Sequence, residues 1–217
     1  NESVVVETDN IVIRGVDRQT VVLDGEHSEE MANGIIVFSN GVAVENLTVK
    51  NYFSTGVFFT GDYDSDFILR GYRVSYVNAL NNRVYGIYAF NAEYGLFDNT
   101  YAAGHTDSGY YIGQCQPCNA VLSNNLSEYN TLAYSGTNAG GDLFIVNNEF
   151  RMNRIGVTPN TLNSEELAPQ RGATFAGNWI HSNGNPETSK GGDIWELAYG
   201  VGMVLPGANN NLSLIHI

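Results

Sequence analysis

The side chains that could move protons or grip an anion crowd into one stretch of the chain. Tyr85, Tyr88, Tyr110, Tyr111, Arg73, Arg83, His105, Arg151 and Arg154 are the candidates, and six of these nine lie between residues 83 and 111. Removing a proton beside a carboxylate needs a base, a cation or hydrogen-bond donor for the developing charge, and an acid. Tyrosine, arginine and histidine can fill these roles. The competing reading takes Arg73 and Arg83 as surface charges and the tyrosines as strand formers. Just upstream, Asp62, Asp64 and Asp66 have the Asp-x-Asp-x-Asp rhythm of a calcium loop. Phe67 stands where an EF-hand needs glycine and Arg73 where it needs glutamate, so Ca2+ would be held weakly. A solvated acidic loop is the plainer alternative, and no other cofactor is suggested.

Cys115 and Cys118 are the two cysteines. A closed zinc site needs four ligands, and His105 is the one histidine nearby. A thioredoxin-like pair needs a βαβ setting that the pattern lacks. In an exported protein the favoured reading is a local disulfide around Pro117, with copper or zinc binding as the alternative. Nucleophile constellations of Ser, Cys and His do not appear. The sequons at Asn46 and Asn125 belong to a repeat described next.

The elements that must position these groups are read from composition and period. The 217 residues include 24 Gly, 27 Asn and two Lys. Asn and Gly favour turns over helices, so many short strands with tight turns are expected. Asn-apolar-x-x-x-Asn, or a degenerate copy, starts at residues 46, 73, 99, 125, 148 and 178, in steps of 27, 26, 26, 23 and 30. Gly-apolar-x-apolar keeps the same period at Gly34, Gly56, Gly86, Gly109, Gly156 and Gly202. Two markers in one phase indicate stacked repeats. The spacing predicts an all-β, single-stranded parallel β-helix of about seven or eight coils. Asn125, Asn148 and Asn178 should stack at one turn. Ser164–Leu167 is the one candidate helical turn.

Alternation along the Gly strands gives a geometric expectation. If the residue after each glycine points in, the next points out. The outward column then reads Ile36, Phe58, Tyr88, Tyr111 and Thr158. Phe58, Tyr88 and Tyr111 become a binding platform for sugar rings, unless a loop such as 59–72 covers it.

These repeats resemble the right-handed parallel β-helix superfamily, the pectate-lyase-like group that includes NosD-type repeats and mannuronan C5-epimerase modules. Residues 107–119 and 134–141 resemble bacterial secreted β-helix proteins of unassigned function. The resemblance implies a right-handed solenoid that is secreted or periplasmic, a home that the acidic charge and low Lys count also fit. It implies an activity that is lyase- or epimerase-like on an acidic polysaccharide, or a non-catalytic structural or adhesive scaffold. Tyr85-Gly86 keeps the first step of the epimerases' Tyr-Gly-Phe-Asp-Pro-His, but Tyr88 and Phe90 replace its Asp and His. Tyr85 is then the proton-handling residue, with Arg83 and Arg73 meeting a sugar carboxylate by paired hydrogen bonds. Trp179-Ile180-His181 echoes the pectate lyases' Trp-Ile-Asp-His, though Asn178 and Asn183 place it in the repeat.

Net charge is −13, from 10 Lys+Arg and 23 Asp+Glu. That excludes a nucleic-acid binder, and no apolar run approaches the ~20 residues of a membrane helix. The expected partner is a polysaccharide or cell-surface glycan. A polyuronate would be repelled unless Ca2+ or an arginine cluster bridged it to the protein. Residues 1–211 are expected to form the β-helix, as part of a longer chain. Residues 212–217 match a reading frame of a sequencing adapter and are expected to be non-native.

Overall fold

The computed structural model describes residues 2–62 and 64–216, with the side chains of Asp193, Ile194, Ile215 and His216 set aside. Asn1 and Ile217, the outer residues of the opening run and the terminal hexapeptide, lie outside the described residues. So does Tyr63 in the acidic loop.

Stacked coils of short strands make up the described chain. The first coil is β1 (Val4–Val6), β2 (Val12–Arg14) and β3 (Val22–Asp24). The second is β4 (Asn33–Val37), β5 (Val42–Glu45) and β6 (Thr48–Lys50), and the third is β7 (Thr55–Thr60), β8 (Leu69–Ser75) and β9 (Asn78–Leu80). Then come β10 (Tyr85–Phe90), β11 (Ala92–Asp98) and β12 (Tyr101–Ala103), followed by β13 (Ser108–Gly113), β14 (Ala120–Ser123) and β15 (Leu126–Glu128). The sixth coil is β16 (Leu132–Thr137), β17 (Gly140–Val146) and β18 (Glu149–Arg151); the seventh is β19 (Ile155–Asn160) and the long β20 (Arg171–His181). β21 (Leu212–His216) lies parallel to β20.

Each strand pairs in parallel with its equivalents one coil before and after, so the chain is a parallel β-helix. First strands stack as sheet 1. Second and third strands form sheets 2 and 3, which join in β20 because that strand runs through their corner without a break. Seven coils and part of an eighth match the repeat count. Ile35, Val57, Ile87, Tyr110, Tyr134 and Val157 ladder inward from sheet 1 and are fully buried.

Two asparagine ladders bracket sheet 3. In the first, the Oδ1 atoms of Asn148 and Asn178 accept from the backbone and side-chain N–H groups of Asn125 and Asn148 in turn, at 3.0 Å. This is the predicted stack at 125, 148 and 178. The ladder column continues backward as Thr100, Val77 and Leu47, so Asn46 and Asn99 fall one residue earlier, at corner positions with φ of 55°. Asparagine tolerates that left-handed geometry, which is why both columns read alike in sequence. The second ladder runs through Asn130, Asn153 and Asn183. Its column crowds the Gly strands at Gly56 and Gly109: a Cβ at Gly56 would meet Asn82 Nδ2, and one at Gly109 would meet Ser127 Oγ and stand 2.9 Å from Asn130 Nδ2.

Residues 164–167 form turns, and the helix α1 (Asp193–Glu196) lies elsewhere. Glu165 is held by Asn138 Nδ2, and the segment ties back to the coil at both ends instead of continuing one turn.

Candidate functional site

Sheet 1 places Phe58, Tyr88 and Tyr111 in register on consecutive coils. Their neighbours Val57, Ile87 and Tyr110 point into the coil, so these three rings lie on its outer face. Tyr88 and Tyr111 stack with centroids 4.4 Å apart and planes 23° from parallel. Phe58 meets Tyr88 edge-on at 4.8 Å. Tyr85 adds a third phenol, 4.4 Å from Tyr88 and 5.6 Å from Tyr111.

This platform is not open to solvent as an exposed stripe would be. Tyr111 is only 5% exposed. None of the residues lining the cleft beside it comes from the 59–72 insertion. Chain from the seventh coil onward rises beside the platform, and Leu162, Trp195 and Pro206 wall a cleft of about 270 Å³. Tyr85, Tyr111, Asp107, Ser135, Thr137, Asn160 and Thr161 complete its lining. Trp195 packs with Leu132, Ile155 and Ala198, and Arg154 Nη2 holds Glu196 through both carboxylate oxygens at 2.8 and 2.9 Å.

Electrostatics in the cleft are set by burial. Desolvation pushes Asp107 above the usual carboxylate range, opposed by a hydrogen bond from Ser108 Oγ. It raises Glu165 as well, against the hydrogen bond from Asn138. Tyr85, Tyr88 and Tyr111 are all pushed well up, first by burial, with Glu165 adding to each and a hydrogen bond with Thr137 opposing the shift at Tyr111. The cleft is thus aromatic and acidic, with phenols that keep their protons at neutral pH. Asp107 in the lining, and Glu165 close enough to act on the three phenols, were not legible in sequence, because a cover formed by distant chain builds the site.

The arginines do not join them. Arg73 lies on β8 in sheet 2 and pairs with Glu45, which also takes Arg14. Arg83 lies at the turn before β10, with its guanidinium 4.3 Å from the Phe53 ring centre. It lines a separate hollow with His27, Tyr52 and Asn82. Short spacing in sequence placed Arg83 near Tyr85, but a turn and an outward strand position face different ways.

The acidic loop is held by its own hydrogen bonds. Both Asp62 carboxylate oxygens are taken locally, by Asp64 N–H at 3.0 Å and Ser65 Oγ at 2.7 Å. Among the described residues no three His, Cys, Asp or Glu side chains are grouped to hold a metal ion. Cys115 and Cys118 are adjacent, with Cα atoms 4.6 Å apart and the sulfurs joined.

No family model matches the sequence, and no curated protein does. Among solved structures, the Azotobacter vinelandii mannuronan C-5 epimerase AlgE4 A-module is similar at 10% identity. The alignment covers 96% of this chain and 82% of that one, with a TM-score of 0.31.

Proposed function

We propose that this protein binds a carbohydrate chain in the cleft lined by Tyr85 and Tyr111, with Tyr88 stacked against Tyr111 beside it. The observation that carries the reading is the stacked Tyr88–Tyr111 pair, in register on neighbouring coils beside a cleft with hydroxyl-binding groups. Ring faces suit the apolar faces of sugars, and a few convergent polar groups fix orientation. Ser135, Thr137, Asn160 and Asp107 supply those groups.

Lyase or epimerase chemistry on a uronate asks for more than this cleft holds. No Lys or Arg is among its lining residues, and Asp107 would oppose a sugar carboxylate. Tyr85 can donate a proton there but is too strongly protonated to abstract one at neutral pH. No step is assigned to Ca2+. The reading is therefore a glycan-binding β-helix for a neutral sugar, with binding rather than turnover as its main task. An exported home, secreted or periplasmic, goes with the cysteine pair, which persists in oxidising compartments.

Calorimetric titration with neutral and uronate oligosaccharides tests this, together with ultraviolet absorbance for unsaturated products. Neutral sugars are expected to bind, and Tyr88→Ala and Tyr111→Ala to weaken that binding without loss of the β-sheet circular dichroism. Unchanged binding in both folded variants would sink the proposal. Unsaturated product from a polyuronate would restore the lyase reading.

A further inference from the structure

We infer that the corner between sheets 2 and 3 carries a second groove, for an uncharged, hydroxyl-rich chain such as a neutral glycan lying along the solenoid axis. The groove is about 740 Å³ and is separate from the cleft on sheet 1. Two rows frame it. One is the outward column of sheet 3: Tyr101, Leu126, Glu149 and Trp179, in register from coil to coil. The other is the corner column, where Tyr76, Asn99, Asn124, Asn147 and Gly177 all take positive φ, between 54° and 64°. The corner row spans five coils, roughly 19 Å at the spacing of stacked strands.

Three observations set the class of ligand. First, the groove has free polar groups. The amides of Asn125 and Asn148 saturate each other in the ladder, whereas Asn124 and Asn147, one residue earlier, make no side-chain hydrogen bond among the described residues. A free amide offers both a donor and an acceptor, which suits a hydroxyl. Second, it has steadied rings. Trp179 stacks on His181 with centroids 4.0 Å apart, yet stays 55% exposed, and Tyr76 is 52% exposed.

Third, its charges are few, and its one carboxylate is paired. Glu149 is its one carboxylate, and it accepts from Arg151 Nη1 at 2.7 Å and lies 3.2 Å from His181 Nε2. Arg151 also donates to Glu128, which accepts from the Tyr101 hydroxyl at 2.7 Å. Arg18, its one cation, donates to Asn99 O. A polyanion would find a single cation here, Arg18, against a net charge of −13. A peptide would find no strand edge, because sheet 3 is hydrogen-bonded from coil to coil across this face.

The two tryptophans separate this groove from the cleft, since Trp179 lines one and Trp195 the other. The full chain carrying Trp195→Phe, so that Trp179 alone emits, is titrated with cellohexaose, mannohexaose and oligogalacturonate while indole fluorescence is followed. A neutral hexasaccharide should give a saturable change and oligogalacturonate none. Adding Asn124→Gly and Asn147→Gly keeps the left-handed backbone, as Gly177 already does, and should weaken binding about tenfold. No response to either neutral probe, tighter binding of oligogalacturonate, or unchanged affinity in the glycine variant would each overturn the assignment. A failure here leaves the sheet 1 reading untouched, because that cleft is read through Tyr88 and Tyr111.

Discussion

His105 occupies the ladder position that Asn130 fills one coil later. Asn130 Nδ2 donates to Ala102 O, and His105 Nε2 stands 3.1 Å from Ala79 O, the same place one coil earlier. The other ring nitrogen lies 3.0 Å from Asn82 O. Asn82 Nδ2, which would donate to the next amide in an unbroken ladder, is buried without a partner. An imidazolium would satisfy both carbonyls, but burial opposes its charge and wins, taking the pKa to about 4.

That imidazole makes the fold acid-sensitive in a defined window. The folded pKa lies below the unfolded value of 6.5, so the unfolded chain binds the extra proton. The contribution of neutral His105 is complete above about pH 6.5 and is lost as pH falls toward 4. Urea unfolding at stepped pH should show stability falling over that range. His105→Asn should remove this part of the slope and, at pH 5, add roughly 1 kcal/mol by giving Asn82 an acceptor. The void left beside Gly86 limits the gain. An unchanged pH profile in the variant would assign the sensitivity to other groups.

The ladders also bear on how much the sequence revealed. Period and inward–outward alternation were legible, because each coil repeats the same burial demand and the Gly strands need space for ladder side chains. Tyr88 and Tyr111 could be placed on one face for that reason. What could not be read was anything that depends on chain outside the repeat. The wall made by Leu162, Trp195 and Pro206 comes from residues with no period, so the burial of Tyr111 and the recruitment of Asp107 were invisible. Arg73 and Arg83 were misplaced because closeness in sequence does not fix which of three faces a side chain takes. The one-residue offset between Asn46 and the ladder has a similar cause, since a corner and a ladder both accept asparagine.

Adjacent asparagines should therefore differ sharply in worth. Asn148 accepts from the backbone and side chain of Asn125 and donates to Leu122 O. Asn148→Ala strands buried partners on both sides and should cost about 2–4 kcal/mol. Asn147→Gly, one residue earlier at an exposed corner with φ of 56°, should change stability by less than about 0.5 kcal/mol. Chemical denaturation of the two variants compares them directly, and equal losses would mean the ladder is not what holds the corner.

The cysteine pair should be oxidised and of modest weight. Cys115 and Cys118 close a very short loop, for which chain-entropy arithmetic gives about 2 kcal/mol. Intact-mass measurement with and without reductant should show two protons gained on reduction. Reduced protein should remain folded with a lower denaturation midpoint. Two free thiols in protein recovered from an oxidising compartment would remove the bond and its support for export.

The clamp between Arg154 and Glu196 should respond unequally to loss of either partner. Arg154 is 6% exposed at its side chain and Glu196 41%. The guanidinium also lies 4.7 Å from the Tyr199 ring centre, and its Nε already lacks a partner. Removing the carboxylate leaves a buried cation, whereas removing the arginine leaves a carboxylate that water can reach. Glu196→Ala should therefore cost roughly 2 kcal/mol and Arg154→Met about 1 kcal/mol. Both should loosen the chain around Trp195, so protease cleavage between residues 185 and 206 should quicken and Trp195 emission should shift to the red. Because that chain walls the Tyr85–Tyr111 cleft, both variants should also weaken oligosaccharide binding there. Equal costs, or cleavage no faster than in the parent, would mean that the packing of Trp195 and Ala198 on Leu132 and Ile155 holds the wall without the ion pair.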